Sequence, residues 1–314
     1  MDTLSVLLQN VNLFETKYHR INGAGNWSYA IDKKDTILFY LVLSGGFCLD
    51  VGSEVRQAHA GDIIMISNAA QHISYALNYH GNEAKSLDAR LVNEADSIIE
   101  LNPVGDNGDN NVSLILIECQ YDKEMTRPLL SVLPSILPEL SDASDARFGV
   151  LDIEVKLLTL ESEKERMGKM AVINHWAGIM MIECLRTYIE SLPETTDNWL
   201  RALKDPYLAK AIAAMHYEPN ESWTIHKLAE VAGMSRSSFA QRFKEVVGMP
   251  PLTYLIDYRL RLASRYLRLQ QNSISRISEL VGYASDSTFS QAFKRVYGMS
   301  PKAYRQQYQR KTAV

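Results

Sequence analysis

The 314 residues are 46% hydrophobic and 22% charged, which argues against disorder and allows two domains, each with its own core. The formal net charge of −4 conceals an asymmetry: residues 198–314 hold 18 Lys and Arg against 8 Asp and Glu, a net +10, while residues 1–197 hold 15 against 29, a net −14. A basic domain behind an acidic one is the charge footprint of a nucleic-acid binder, and the acidic part argues against a chain that coats DNA along its whole length.

The opening MDTLSVLLQN has no basic region and no long apolar run, so it does not read as a signal peptide. Ile37–Leu43 reads as a buried strand followed by Ser44-Gly45-Gly46. Phe47–Val51 alternates and meets Gly52-Ser53; Val55–Ala58 leads to the turn Ala60-Gly61-Asp62, and Ile63–Ile66 follows. Short strands at regular spacing predict a sandwich or jelly roll. Gly61-Asp62 followed by His72 resembles the second motif of the cupin family, with Ser67 and Ala69 where that motif expects Pro and Gly. The first motif would place two His within residues 31–34 and a Glu at 38, where this chain has Ile31, Asp32, Lys33, Lys34 and Leu38. One remaining His72 cannot make a three- or four-ligand site, so no metal, no cofactor and no catalytic residue is expected. The resemblance implies a barrel whose interior holds a small-molecule effector, with Trp27, Tyr40, His72 and Tyr75 as candidate lining; the alternative for each is a core or rim residue.

Residues 81–111 are polar and read as a long excursion with a loop; Val112–Cys119 reads as a returning strand, and residues 127–138 as a Pro-punctuated connector. From Ile153 to Ser191 the pattern is helical, with Leu157, Leu160, Ile173, Trp176, Met180, Ile182 and Leu185 apolar. Two antiparallel helices here would serve as a dimer interface or as an intrachain seat for the β domain. The most apolar stretch, Ala171–Tyr188, is interrupted by His175, Glu183 and Arg186, so it reads as a buried helix and not a bilayer span. Cys48, Cys119 and Cys184 are odd in number and lie in apolar runs, as reduced core thiols of a cytoplasmic protein do.

After a short polar linker at 193–198, Asp205–Tyr217 reads as a helix, and the chain then repeats itself. Phe239/Phe289, Phe243/Phe293, Gly248/Gly298, Pro251/Pro301 and Tyr254/Tyr304 recur at an offset of 50; Ile225/Ile274, Leu228/Ile277, Val231/Leu280 and Gly233/Gly282 recur at 49. In the first copy Thr224 caps a helix with apolar face Ile225, Leu228, Val231 and Ala232, Gly233 ends it, and Ser235 caps a second helix with face Phe239, Phe243 and Val246. In the second, Ser275 starts the first helix, Gly282 ends it, and Ser285 or Asp286 caps the next. A short helix, a glycine turn and an amphipathic helix make a helix-turn-helix. Leu252–Gln270 reads as one helix joining the copies, a spacer that lets both recognition helices reach successive major-groove segments about 34 Å apart. Opposite the Phe stripe lie Ser237, Gln241 and Lys244, and Ser287, Gln291 and Lys294. Gln reads adenine, and Ser or Thr several base edges, so Ser237, Ser238, Gln241, Ser287, Thr288 and Gln291 are the expected base contacts. Arg236, Arg242, Lys244, Lys294 and Arg295 are the expected phosphate contacts.

Residues 205–308 resemble the AraC/XylS-type regulator domain, through TIHKLAEVAGMSRSSFAQRFKEV at Thr224–Val246, VGYASDSTFSQAFKRVYGMSPKAYR in the second copy, and the connecting helix. The cupin-like front resembles that of one AraC-type subgroup, whose following helices dimerise. The resemblance implies a seven-helix domain binding asymmetric promoter sites on double-stranded DNA, usually as an activator that works with RNA polymerase. The expected architecture is α+β: a cupin-like β-barrel (jelly roll) over 1–125, a helical connector over 126–197, and an all-α domain with two helix-turn-helix units over 198–314. The expected function is that of an effector-controlled, homodimeric, cytoplasmic regulator with no membrane partner. The alternatives are a ligand-independent regulator whose front domain only dimerises and, behind it, a cupin enzyme.

Overall fold

A computed structural model describes residues 2–9, 11, 13–33, 35–67, 71–79, 85–86, 96–101, 111–137, 156–161, 166–193, 195–196, 198–269 and 271–312. In chain order the first elements are α1 (Thr3–Leu8), β1 (Leu13–Gly23), β2 (Ser28–Ile31), β3 (Thr36–Ser44), β4 (Gly46–Asp50), β5 (Val55–His59) and β6 (Ile63–Ile66). Then come β7 (His72–Ala76), β8 (Lys85–Ser86), β9 (Asp96–Leu101), β10 (Val112–Tyr121), α2 (Lys123–Leu130), α3 (Lys169–Ser191) and a 3₁₀ helix at Trp199–Leu203. The helices α4 (Leu208–Tyr217), α5 (Ile225–Ala232), α6 (Arg236–Val247), α7 (Pro251–Leu269), α8 (Ile274–Leu280), α9 (Asp286–Tyr297) and α10 (Pro301–Thr312) follow. These elements divide into two units. One is Asn12–Tyr121 with Leu133–Ser191; the other is Met1–Val11 with Asp122–Val132 and Leu192–Val314. The division differs from the boundaries read at 125 and 197: two short segments, 1–11 and 122–132, belong with the helices.

The β unit is the expected jelly roll. Its two five-stranded sheets run β6-β3-β10-β1-β9 and β5-β4-β7-β2-β8. All pairs are antiparallel except β1 with β9 and β2 with β8. Strand alternation sends Leu38, Tyr40 and Val42 of β3, Phe47 and Leu49 of β4, and Leu114 and Leu116 of β10 into one core. Every residue from Thr36 to Val42 is buried, however, because α3 covers the outer face of β1 and β10 and the Trp176 ring meets Phe39 edge-on at 6.3 Å. A strand covered on both faces reads as a continuous apolar run. Of the two roles weighed for the helical segment, the intrachain seat is the one observed for α3, through Ile173, Trp176, Met180 and Leu185; Ile182 is half-buried. Residues 156–161 are helical and bury Leu158, leaving Leu157 and Leu160 exposed; Ile153 lies outside the described residues.

Two expectations change here. The polar stretch 81–111 contributes β8 and β9, one edge strand to each sheet, and the remainder of it, apart from Asn111, lies outside the described residues. The Pro-rich connector begins as a helix, α2, because Asp122 accepts from the Glu124 and Met125 amides at 3.1 and 3.2 Å, and Pro128 falls in its last turn. Pro138, like Lys34 and Ala69, lies outside the described residues. Cys48, Cys119 and Cys184 are free and buried, and burial pushes the last two thiols up to about 12. Thiols so disfavoured as thiolates are poor nucleophiles near neutrality. Among the described residues no helix is long and apolar enough to cross a membrane, and no group of three His, Cys, Asp or Glu gathers at a metal-binding spacing.

The helical unit holds two similar cores. Phe239 and Phe243 pack with Leu228, Ala232, Tyr254 and Leu255; Phe289 and Phe293 pack with Ile277, Tyr258, Leu262 and Tyr304. Helix α7 thus serves the first core with its beginning and the second with the rest. Caps fix the turns: Thr224 accepts from Lys227 N, Ser235 from Ser238 N and Ser285 from Thr288 N. Gly248 and Gly298 end the recognition helices at φ 82° and 74°, the left-handed region that favours glycine. Three assignments shift. The cap of α8 is Ser273 and not Ser275, since Ile274 and Ile277 must share a turn. Ala229 fills the core position given to Val231, which is exposed, and Val247 is buried where Val246 is half-buried. Asp286 is the first residue of α9, which leaves Ser285 as the cap.

Candidate nucleic-acid interface and barrel interior

With Phe239, Phe243 and Val247 buried, helical geometry turns the rest of α6 outward. Arg236, Ser237, Ser238, Gln241, Arg242 and Lys244 are all exposed, and so are Ser287, Thr288, Gln291, Lys294 and Arg295 on α9. The two faces are not equivalent. On α6 the Gln241 amide donates to Glu245 at 2.9 Å, and Arg242 Nε donates to Asp205 at 2.6 Å. Asp205 also accepts from the Tyr207 and Leu208 amides, at 2.9 and 3.1 Å, so Arg242 is tied to the start of α4. On α9, the side chains of Gln291, Lys294 and Arg295 make no hydrogen bond or ion pair with a described residue. Ser238 Oγ accepts from the Ser235 hydroxyl at 2.8 Å, and Thr288 Oγ1 lies 2.9 Å from Ser285 Oγ, so both hydroxyls belong to the caps. Glu245 was not singled out from the sequence, although its i+4 spacing from Gln241 is the available signal.

The two copies are locked in phase. Arg259 of α7 donates from Nε to Pro219 O at 2.6 Å and from Nη2 to Glu221 O at 2.8 Å. Gly282, in the turn of the second copy, lies against the same guanidinium; a Cβ there would stand 2.6 Å from Arg259 Nη2 and 2.8 Å from Asn220 Cα. Beside this joint His216 stacks on Tyr258 with ring centroids 3.8 Å apart, and its Nε2 lies 2.8 Å from Tyr254 Oη. Burial, with Arg261 nearby, holds His216 down at about 3, so it is neutral.

In the barrel, Trp27, Tyr40 and His72 come together in the core, joined by Tyr29, Phe47 and Ser74. His72 Nε2 lies 2.7 Å from Tyr40 Oη with the two rings perpendicular. Burial raises the phenol of Tyr29 to about 12. Tyr75 does not join them. On β7 the residues His72, Ser74 and Ala76 point inward, so Tyr75 takes the outer face, opposite Cys48 in register and 5.7 Å from the Tyr79 ring. Tyr29, Tyr40 and Ser74 share hydrogen bonds with one another, and Trp27 Nε1 is buried with no partner among the described residues. This mix of aromatic surface and buried polar groups is what a small polar ligand would complement.

Comparison with known proteins follows the same division. Residues 228–307 match the family described as a helix-turn-helix domain, and residues 2–190 match the family described as Cupin. The chain is 32% identical to the HTH-type transcriptional regulator AlkR of Acinetobacter baylyi, over 91% of this chain and 93% of AlkR. It is 31% identical to a putative AraC-like transcription regulator of Streptomyces lividans, over 91% of this chain and 92% of that one. The chain belongs to the AraC family. It is a DNA-binding transcription regulator of that family, with a cupin domain at its front. Among solved structures, the DNA-binding domain of AdpA in complex with a target DNA is similar to this AraC-family chain at 33% identity and a TM-score of 0.33, covering 34% of this chain and 96% of that one.

Proposed function

We propose that this regulator reads an asymmetric, two-part promoter site and activates transcription with RNA polymerase, under the control of a small molecule held in the cupin domain. It acts as a cytoplasmic homodimer and performs no catalysis of its own. Ser237, Ser238, Gln241, Ser287, Thr288 and Gln291 touch base edges, while Arg236, Arg242, Lys244, Lys294 and Arg295 hold phosphates. The observation that carries DNA reading is the pair of capped helices, α6 and α9, whose polar faces are exposed on a net +10 region. The observation that favours an effector is the aromatic barrel interior with the buried donor Trp27 Nε1 unpartnered among the described residues, beside the polar groups of Tyr29 and Ser74; Tyr40 and His72 belong to that lining and Tyr75 flanks it from outside.

The full chain should recover, from sheared genomic DNA, fragments that share a bipartite motif and that are lost steeply as salt rises. Run-off transcription from a recovered fragment should rise when the regulator is added to RNA polymerase. Recovery without any shared motif removes sequence reading, and a fall in transcript makes the protein a repressor. A screen of metabolites by thermal shift separates effector control from the ligand-independent alternative, since a specific binder raises apparent stability by mass action.

A further inference from the structure

The barrel is not the only place suited to a ligand. Within the helical unit a cavity of about 190 Å³ opens between α1, α2 and the first helix-turn-helix. Its walls include Leu4 and Leu7 of α1, Met125 and Leu129 of α2, and Val247 and Met249 on either side of Gly248. The recess is open on one side and its walls are mostly apolar, which is the form small-molecule sites take. An aliphatic cavity of about 150 Å³ is known to take benzene, which sets the scale at one ring or about seven carbons.

His216 and Arg261 are among the polar residues that line the space. His216 Nδ1 and Arg261 Nε are both buried and have no hydrogen-bond partner among the described residues. Arg261 Nε is a donor whichever tautomer His216 adopts, so the missing partner is an acceptor. The other side of the guanidinium is already occupied, because Arg261 Nη1 donates to Asp257, four residues back on α7. That carboxylate, itself part of the lining, cancels the charge of the arginine, and His216 is neutral. A field with no net charge favours a neutral guest over an anion.

We propose that this cavity is a ligand site of the helical unit, separate from the barrel, which takes a compact neutral molecule that is mostly apolar and carries one hydrogen-bond acceptor. Its position gives such a molecule a purchase on DNA reading. Val247 and Met249 flank the end of recognition helix α6, while α1 and α2 lie within the 2–190 stretch that matches Cupin and yet pack with the helices. Thr3 Oγ1 donates to Ala209 O at 3.1 Å, Arg268 Nη2 donates to both oxygens of Asp122 at 2.8 Å, and Trp199 Nε1 donates to Pro128 O at 3.1 Å. A guest in the cavity touches α1, α2 and the end of α6 together.

Methyl NMR of the full chain labelled with ¹³C-methyl methionine tests this, since Met125 and Met249 line the cavity. The probe is 2-heptanone, with heptanoate as the charged control and ethylbenzene as the control without an acceptor. The expected result is saturable movement of the Met125 and Met249 methyl signals, with 2-heptanone binding at least fivefold more tightly than either control. Leu7→Trp, which fills the space from the half-buried α1, should weaken that binding at least tenfold; Leu8→Phe is the second filling variant should the first not fold. Still signals at both methionines up to the solubility limit of 2-heptanone overturn the site. So does binding that survives both filling variants, which puts the ligand elsewhere. Tighter binding of heptanoate overturns the neutral class, and equal binding of ethylbenzene overturns the acceptor.

Discussion

The two helix-turn-helix copies share their anchors and differ in what surrounds them. Each buries two phenylalanines completely, caps its recognition helix with serine and ends it on a left-handed glycine. The first copy has its polar face engaged by its own chain, Gln241 with Glu245 and Arg242 with Asp205. The second presents Gln291, Lys294 and Arg295 with no such engagement among the described residues. Repetition therefore conserves the core, which must be close-packed, and leaves the outer face free to diverge. A base contact from Gln241 must exchange an existing hydrogen bond, whereas one from Gln291 gives up none to a described residue.

Replacing the shared feature should have the largest effect and should be equal in both copies. Phe243→Ala and Phe293→Ala each remove a fully buried ring and should cost about 3–5 kcal/mol in chemical denaturation. Unequal losses would mean that the cores are not equivalent. Acid should act next, at the joint between the copies, where His216 touches Tyr254 of one core and Tyr258 of the other. His216 has an ordinary value of 6.5 and a folded value of about 3, so between these the unfolded chain takes up a proton that the folded chain refuses. Its contribution is intact above pH 6.5 and is lost as the pH falls through that window, by on the order of a few kcal/mol. Denaturation at pH 7 and pH 4 should show this loss, and His216→Gln should flatten it. A wild-type profile indifferent to pH would contradict a neutral buried His216.

The DNA-facing contrast is smaller. Gln291→Ala should cost about 1–3 kcal/mol in affinity and relax the preference at one position, with Gln241→Ala costing less. Binding-site selection that returns an unchanged motif for the Gln291 variant removes it from the base-reading set. Smallest of all, Lys244→Ala should weaken every sequence alike and lower the salt slope by about 1. A loss confined to one sequence would turn Lys244 into a base contact.

The repeat made most of the helical unit legible. Anchors spaced by 50 could only be core and turn residues, and the Ser and Gly positions between them are local capping signals that need no tertiary information. The cap of α8 was harder to place, because Ser273 and Ser275 bracket the same turn and only the packing of Ile277 decides between them. Asp205 holding Arg242, 37 residues away, leaves no local trace at all. In the β unit the strands showed themselves by alternation, but the short strand His72–Ala76 is too brief to reveal which face Tyr75 takes until its pairing with β4 is known. Helix α2 was hidden because Pro128 reads as a breaker, when a proline this close to a helix end removes little of its hydrogen bonding.

The turn at Gly282 has a consequence for promoters. With no side chain at that position and Arg259 gripping the loop at Pro219 and Glu221, the pair of reading heads turns as a single piece. Such a piece tolerates only one helical phasing in its target. An extra base pair between the two half-sites rotates one by about a tenth of a turn, and following it would mean breaking the contacts of Arg259. Operators of this regulator should therefore vary in their letters far more readily than in their spacing.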